Sequence, residues 1–257
     1  MTAVERLIKT AEAELGYLEK ASNAQLDDKT ANAGKNNWTK YARDLDGYGN
    51  VYNGRKNGFD WCDVFVDWCF MTTFGVNVGM KMLNQTEKGL GAGVKWSANY
   101  YQQKGRFYDE NPKPGDQIFF GSGSNWWHTG IVVDVSGGKV HTIEGNTTTA
   151  SGVIPNGGGV VKKSYSLTYA NIKGYGRPDY SIVSGTAAKP VIPAKKEEKD
   201  MTYYKTINDV PAAYRDSVKK SIMKGVLKGT GNGVLDISDD LCRMLVILDR
   251  LGLLNQK

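Results

Sequence analysis

The chain has 257 residues, of which 40% are hydrophobic and 23% are charged, so it can form one sizeable core and a smaller companion domain. Its net charge of +6 suits an anionic partner such as nucleic acid, a membrane surface or a bacterial envelope, but no Lys/Arg cluster interleaved with aromatic residues indicates nucleic acid. The three cysteines, Cys62, Cys69 and Cys242, are an odd number and exclude a framework of disulfides.

The first predicted element is an amphipathic helix over residues 2–20, with Val4, Leu7, Ile8 and Leu15 on one side. It has no continuous apolar stretch, so it is not a secretory signal, and no later stretch has the composition of a membrane span. We therefore expect a chain that is made in the cytoplasm and that reaches the outside only when something else lets it out.

Two more helices are predicted over residues 61–74 and 92–104, and strands follow. The strands are predicted in "GDQIFFGSG", "HTGIVVDVSGGKVHTIEGN", "GVVKKSYSL" and "IKGYGRPD". Helices first and antiparallel strands afterwards are typical of an α+β fold.

A break in composition then divides the chain. The stretch "SGTAAKPVIPAKKEEKD" combines prolines, small residues and a charge run without an apolar period, which indicates a linker. We predict a first domain at residues 1–181, a linker at 182–201 and a small α-helical domain at 202–257.

The small domain shows two helical segments. Tyr214, Val218 and Ile222 recur at helical spacing, "TGNGVLDIS" is a predicted loop, and Ser238 is placed to cap the second helix. Two helices of this length bury little surface alone and would gain from docking or self-association.

Cys62 stands where the second predicted helix begins, directly after the turn residues Gly58 and Asp60. Unpaired N–H groups and the positive end of the helix dipole favour a thiolate there, so we expect a lowered pKa and a nucleophilic sulfur. Cys69 and Cys242 lie among apolar residues and are predicted to be core.

A thiolate needs a base, and the chain has two histidines. A three-residue loop at 136–138 would pair Gly130 with Glu144 and His128 with Asn146, so that His128, Glu144 and Asn146 share one face at the end of the hairpin. His141 would then point to the opposite face. A two-residue Gly-Gly loop would break this parity. The pattern predicts Cys62 as nucleophile, His128 as acid–base, and Glu144 or Asn146 as the group that orients it.

These segments resemble a known family. "GFDWCDVFVDWCF", "HTGIVVDV" and "IEGN", with the turn "PKPGD" before a strand, are similar to the CHAP domain, the cysteine/histidine-dependent amidohydrolase/peptidase module of phage endolysins and bacterial wall hydrolases. The resemblance extends over roughly residues 1–180. It implies a papain-like α+β fold, with N-terminal helices on an antiparallel sheet, and hydrolysis of peptidoglycan amides. It also implies that Cys62 is the nucleophile, His128 the base, Glu144 the third member and Asn146 the fourth.

Residues near Cys62 and His128 in the sequence are predicted to contact the substrate. The Cys62 N–H is expected to hold the oxyanion, with Asn57 as a second donor. Trp61, Trp126 and Trp127 flank the catalytic segments, where they would either wall the substrate groove or pack in the core.

No metal is expected. "DLDGYGN" resembles a calcium loop of some CHAP endolysins, with Asp44 and Asp46 as ligands, but Tyr48 and Arg55 stand where carboxylates are required, so a plain turn is preferred and calcium is kept as the alternative. Zinc motifs are absent from the sequence.

The last domain is similar to a single S-layer-homology repeat, which implies attachment to wall polysaccharide, although the repeat's Thr-Arg-Ala-Glu signature is replaced by "SDDLCRML". "KKEEKDM" can encode a ribosome-binding sequence ahead of Met201. We therefore predict that this domain is also translated alone from Met201 and assembles with the full chain.

Together these features predict a phage endolysin that waits in the bacterial cytoplasm and then acts on Gram-positive peptidoglycan, with no nucleic-acid or membrane partner. A host autolysin of the same chemistry and a catalytically inactive wall-binding protein are the alternatives. The muramoyl–alanine amide and a peptide bond both remain candidates for cleavage.

Overall fold

The computed structural model describes residues 1–183, 203–228, 235 and 237–254. The chain divides into two compact units, Met1–Pro193 and Ala194–Lys257. The predicted linker from residue 184 onward, Met201 and most of the predicted loop "TGNGVLDIS" lie outside the described residues. Where the chain is described, no helix has the length and apolar character needed to cross a bilayer.

The first unit begins with five helices. They are α1 (Ala3–Ala13), α2 (Lys40–Asp46), α3 (Cys62–Phe74), α4 (Val76–Met82) and α5 (Val94–Gln103). A capping box starts α1, because the Thr2 hydroxyl accepts the Glu5 N–H at 3.2 Å and the Glu5 carboxylate accepts the Thr2 N–H at 2.7 Å.

The first helix is shorter than its sequence pattern predicts. It ends at Ala13 because the chain turns at Gly16, which has φ +83°, and the Gly16 N–H then bonds the Val160 carbonyl at 3.0 Å. The residues up to 20 therefore leave the helix and contact the sheet, where Leu18 bridges Gly159.

Helix α3 lies in the middle of the unit, with all but one of its residues buried. It packs against α1, α2 and α4 and against two strands of the sheet. A helix that is covered on all sides has no amphipathic period, which explains why its sequence is apolar almost throughout.

Six antiparallel strands form the sheet. They are β1 (Phe107–Tyr108), β2 (Gln117–Ser122), β3 (Asn125–Ser136), β4 (Lys139–Thr147), β5 (Gly159–Ser166) and β6 (Ile172–Gly176), in the order β1-β6-β2-β3-β4-β5. One face, with Phe119, Ile131 and Ile143, joins the helical core, and the other face carries a separate cluster that includes Phe120 and Tyr165. The α+β class is therefore confirmed.

The β3–β4 hairpin differs from its prediction in one respect. Its turn has only Gly137 and Gly138, both at positive φ, so that Ser136 pairs with Lys139. A bulge between Val132 and Asp134 then shifts the register by one residue. From Ile131, which pairs with Ile143, the strands run in the predicted alignment toward Gly130 and Glu144.

The second unit is a small helical pair. It contains β7 (Tyr203–Tyr204), α6 (Ala212–Met223), β8 (Ile237–Ser238) and α7 (Asp239–Arg250), and β7 pairs with β8. Val210, Val218 and Cys242 are buried between the helices. The Ser238 hydroxyl accepts the Leu241 N–H at 3.2 Å, which confirms the predicted cap.

Candidate active site

Cys62 is the first residue of α3 and lies at the edge of an open groove of about 770 Å³. The lining residues are Asn53, Arg55, Lys56, Phe59, Asp60, Cys62, Leu90, Ala92, Gly93, Val94, Trp126, Trp127, Pro155 and Asn156. Cys62 is only 6% exposed, so a small part of its surface faces the groove.

The thiol is not acidified by its place at the helix start. Burial raises the pKa of Cys62, the negative charges of Asp63 and Asp60 raise it further, and the backbone N–H groups of Asp63 and Thr129 oppose the rise. The expected lowering is wrong, because the loss of water outweighs the helix terminus. The free thiol therefore stays protonated and needs a base.

His128 opens the buried part of β3, and its ring is held from one side. The Nε2 atom lies 2.9 Å from Oε2 of Glu144, and both side chains are fully buried. Because a carboxylate only accepts, Nε2 carries the proton. Nδ1 is buried and has no hydrogen-bond partner among the described residues, so its lone pair is available as a base.

Glu144 is the most heavily bonded carboxylate of the site. Besides His128, it accepts the hydroxyls of Thr142 at 2.6 Å and Tyr165 at 3.1 Å. Phe120 stacks on the His128 ring, with centroids 6.0 Å apart and planes at 27°. Thr142, Tyr165 and Phe120 are not among the predicted residues; alternation along β4 places Thr142 on the face of Glu144, whereas Tyr165 lies on the next strand and leaves no local signal.

Gly130 makes room for Glu144. A Cβ built at this position would lie 2.5 Å from the Glu144 Cγ. Only glycine permits this close approach. Gly130, which the predicted register places opposite Glu144, is therefore needed to give the Glu144 side chain its position.

Asn146 lies beside this pair but bonds elsewhere. Its φ is +56°, its Oδ1 accepts the Gly158 N–H at 3.2 Å, and its carbonyl accepts the Gly157 N–H at 2.7 Å. The Nδ2 atom is buried without a hydrogen-bond partner among the described residues. Asn146 therefore fixes the turn at residues 157–158, next to the groove residues Pro155 and Asn156.

The Cys62 thiol lies next to the strand that carries His128, and Nδ1 of His128 makes no hydrogen bond to it. The thiol faces the backbone N–H of Thr129, the residue directly after His128. His141 is elsewhere, as predicted, with Nδ1 2.6 Å from the Ser164 hydroxyl. Cys69 and Cys242 are buried and free.

Two of the four predicted substrate contacts lie in the groove and two do not. Trp126 and Trp127 line it. Trp61 is fully buried, and its Nε1 donates to Glu19 at 3.0 Å, so it belongs to the core. The Asn57 Oδ1 accepts the Thr39 N–H at 2.9 Å, and Asn57 does not line the groove. Sequence reasoning misses Phe59, which is 64% exposed, because nothing in its sequence context separates a groove wall from a turn.

The carboxylates of the calcium alternative have partners within the chain. Asp44 accepts Arg43 Nε and Trp68 Nε1, each at 2.9 Å, and Asp46 accepts the N–H groups of Lys56 and Asn57. Within the described ranges, no group of three or more His, Cys, Asp or Glu side chains is arranged to hold a metal ion. In this structure both aspartates therefore bond to neighbouring residues of the chain.

A helix-start cysteine that lines a groove and a carboxylate-bound histidine on the adjacent sheet are residue types that cysteine-dependent amide hydrolases use. Residues 54–146 match the family model of the CHAP domain, and this stretch contains Cys62, His128, Glu144 and Asn146. A CHAP domain is thus confirmed at residues 54–146, and CHAP domains are typically cysteine/histidine-dependent amidohydrolases or peptidases.

Comparison with solved structures found a likeness to "The crystal structure of Ly7917". The identity is 14%, the alignment covers 70% of this chain and 63% of that one, and the TM-score is 0.36. This chain therefore spans less than two thirds of that structure's length. The comparison with curated proteins gave no match.

Proposed function

We propose that this chain is a peptidoglycan hydrolase of the endolysin type, which cuts amide bonds of Gram-positive cell walls with Cys62. The observation that carries the proposal is the combination of a thiol that lines a groove and contacts the backbone of Thr129, and of a histidine directly before Thr129 whose Nε2 is bound to Glu144 and whose Nδ1 has no partner among the described residues. The CHAP match implies peptidoglycan hydrolase chemistry and so supports the substrate class.

The residues support a two-stage reaction. In the first stage the Cys62 sulfur attacks the amide carbon while its proton passes to Nδ1 of His128, and the carbonyl oxygen becomes an oxyanion. The C–N bond then breaks, and His128 returns the proton to the leaving amine. In the second stage His128 takes a proton from water, the hydroxide attacks the thioester, and the carboxylic acid and the Cys62 thiol are released.

The raised thiol pKa determines how this begins. A thiol that burial keeps protonated cannot attack until the base removes its proton, so proton transfer and attack are coupled. Glu144 accepts the Nε2 proton and stabilises the imidazolium that forms, in the role of the acidic member of a catalytic triad.

The groove suits a substrate that has both apolar and polar parts. Trp126, Trp127 and Phe59 offer flat apolar surfaces, and Arg55 and Lys56 offer positive charges. Peptidoglycan combines sugar rings, which stack on aromatic side chains, with peptides that carry carboxylates. The muramoyl–alanine amide and a stem or cross-bridge peptide bond are both compatible with this lining, and mass spectrometry of digested walls would identify the bond.

The C-terminal unit is proposed to hold the enzyme on wall polysaccharide. Residues 201–257 have nine Lys or Arg against six Asp or Glu, which favours an anionic wall polymer. Separate translation from Met201 remains a proposal on the sequence alone. Replacing Met201 by Leu should remove a short C-terminal product during expression, and absence of that product from the wild-type gene would end the idea.

The test of the enzyme proposal is loss of turbidity of a suspension of Gram-positive walls. The wild-type chain should clear the suspension, whereas Cys62→Ala and His128→Ala should abolish clearing while circular dichroism stays unchanged. If Cys62→Ala clears walls at the wild-type rate, the nucleophile is wrong. If the wild-type chain sediments with walls but releases no new amine or carboxyl groups, it is the catalytically inactive binding protein instead.

A further inference from the structure

Helix α3 carries two buried carboxylates that the reaction above does not use. Asp63 and Asp67 lie one turn apart, and both are fully buried. Burial raises the pKa of Asp63 to about 7, and burial together with the charge of Asp63 raises that of Asp67. A buried carboxylate destabilises a fold unless hydrogen bonds replace the water that it loses, so the partners of each one matter.

The two carboxylates bond to different parts of the unit. Asp63 accepts the Gln117 Nε2 at 2.8 Å and the Ser97 hydroxyl at 2.6 Å. Asp67 accepts the Tyr52 hydroxyl at 2.8 Å and the Gln85 Nε2 at 2.5 Å. Of the two, Asp63 is therefore the one bonded to the sheet, because Gln117 is the first residue of β2 whereas Tyr52 and Gln85 belong to loops.

Gln117 continues the connection to the catalytic strand. Its Nε2 also donates to the Thr129 hydroxyl at 3.0 Å, and that hydroxyl donates in turn to the Ile118 carbonyl at 2.7 Å. The backbone N–H of Thr129 faces the Cys62 thiol. The hydrogen bonds from Asp63 to Gln117 and from Gln117 to Thr129 therefore lead back to Cys62, which directly precedes Asp63. All four residues are buried.

We propose that Asp63 and Gln117 are positioning residues for the hydrolysis: Gln117 donates to both Asp63 and Thr129, and these two hydrogen bonds fix the start of α3 against β3 next to His128 and so set the distance between Cys62 and His128. The inference rests on the proposed function for its chemistry. Its geometry is independent of the substrate, since Asp63 directly follows the nucleophile and Thr129 directly follows the base.

A connection of this kind acts on rate more than on binding. None of Asp63, Gln117 and Thr129 lines the groove, so their loss leaves the substrate contacts in place. A misplacement of about 1 Å between reacting groups lowers a rate by about a hundredfold. We expect kcat to fall with KM little changed.

The first experiment is Gln117→Met, which keeps the side-chain volume and removes both hydrogen bonds. We expect kcat for hydrolysis of solubilised peptidoglycan fragments to fall at least tenfold, with KM within twofold of wild type. Alkylation of Cys62 by iodoacetamide at pH 7, followed on the peptide that bears it, should slow by a similar factor. Asp63→Asn retains an acceptor for Gln117 and should keep kcat within about threefold of wild type.

Asp67→Asn is the matched control, since it changes an equally buried carboxylate on the same helix whose hydrogen bonds, among the described residues, go to loops. It should leave kcat and the alkylation rate within twofold of wild type. Thr129→Val, which is nearly isosteric, serves if Gln117→Met does not fold, and the same loss of kcat is expected.

The outcomes separate the two proposals. Wild-type kcat and alkylation in folded Gln117→Met or Thr129→Val would overturn the positioning role, and so would equal losses of kcat in Asp67→Asn. If the wild-type chain does not hydrolyse peptidoglycan, the proposed function fails, while the alkylation rates still decide whether Gln117 positions the thiol.

Discussion

The candidate site has a sheet side and a helix side behind the groove, each with a buried carboxylate, and the two carboxylates have different surroundings. On the sheet side, Glu144 receives three donors, from His128, Thr142 and Tyr165. On the helix side, Asp63 receives two donors, from Gln117 and Ser97, and burial raises its pKa. Under the proposed function, the sheet side orients the base, whereas the helix side holds the nucleophile in place without ionising it.

Under the proposed function, this difference gives the activation of the nucleophile to His128. A cysteine at a helix start is expected to form a thiolate readily, but in this site burial and the charges of Asp63 and Asp60 raise the thiol pKa. We therefore propose that reactivity depends on the His128 imidazole and on Glu144, which is bound to Nε2 of that ring.

The largest effect is expected on the sheet side. Glu144→Gln removes the charge that stabilises the imidazolium and permits the wrong tautomer, so kcat for peptidoglycan hydrolysis should fall by about 10²- to 10⁴-fold. Tyr165→Phe, which removes one hydroxyl donor and leaves the carboxylate, is the matched control and should cost less than tenfold. A Glu144→Gln enzyme within threefold of wild type would show that the two sides do not differ as described.

The next effect concerns stability on the helix side. The pKa of Asp63 is raised from 3.8 to about 7, so the folded chain binds this proton more tightly than the unfolded chain does. The contribution is complete below pH 4 and is lost as pH rises to about 7, by an amount on the order of 4 kcal/mol at most.

Urea unfolding of the full chain between pH 4 and 8 measures this contribution. Asp63→Asn should lose less stability than wild type between pH 4 and 7, since Asn cannot ionise. Identical pH slopes for the two proteins would contradict the assignment of this proton to Asp63.

A smaller effect is expected from crowding the sheet side. Gly130→Ala places a methyl group against Glu144, which must shift, so kcat should fall about tenfold and the free energy of unfolding by about 1–3 kcal/mol. Gly137→Ala is the control, because it strains a positive φ at the hairpin turn and has open space around its Cβ. Gly137→Ala should lower the free energy of unfolding but leave kcat unchanged. If Gly137→Ala lowers kcat as much as Gly130→Ala does, the loss in Gly130→Ala does not come from its contact with Glu144.

Local patterns in the sequence predict much of this site. The alternation along β3 and β4 correctly places His128 and Glu144 on one face, although two differences have to cancel: the turn is one residue shorter than expected, and a bulge restores the register. Neither the length of the turn nor the position of the bulge can be predicted from the alternation of residues in the sequence. The amphipathic pattern predicts a helix that continues to residue 20, but helix α1 ends at Ala13. Such a pattern contains no signal for the point at which the chain turns toward a sheet.

Long-range contacts cannot be predicted in the same way. Trp61 precedes Cys62, which suggests a groove residue, yet its indole points into the core toward Glu19, which is 42 residues away in sequence. Asp63 and Gln117 are separated by 54 residues, so their bond has no sequence signature. The burial of Cys62 also arises from contacts between residues that are distant in sequence. Because this burial raises the thiol pKa, the prediction of a thiolate is wrong.

Trapping a thioester between the Cys62 sulfur and a peptidoglycan fragment tests most directly whether Cys62 is the nucleophile. The wild-type chain would be mixed with solubilised peptidoglycan fragments, quenched in acid within milliseconds to seconds, digested and analysed by mass spectrometry. We expect an acyl adduct on the peptide that contains Cys62, and none in Cys62→Ala. Turnover of the fragments with Cys62 never modified, or at an undiminished rate in Cys62→Ala, would show that Cys62 is not the nucleophile.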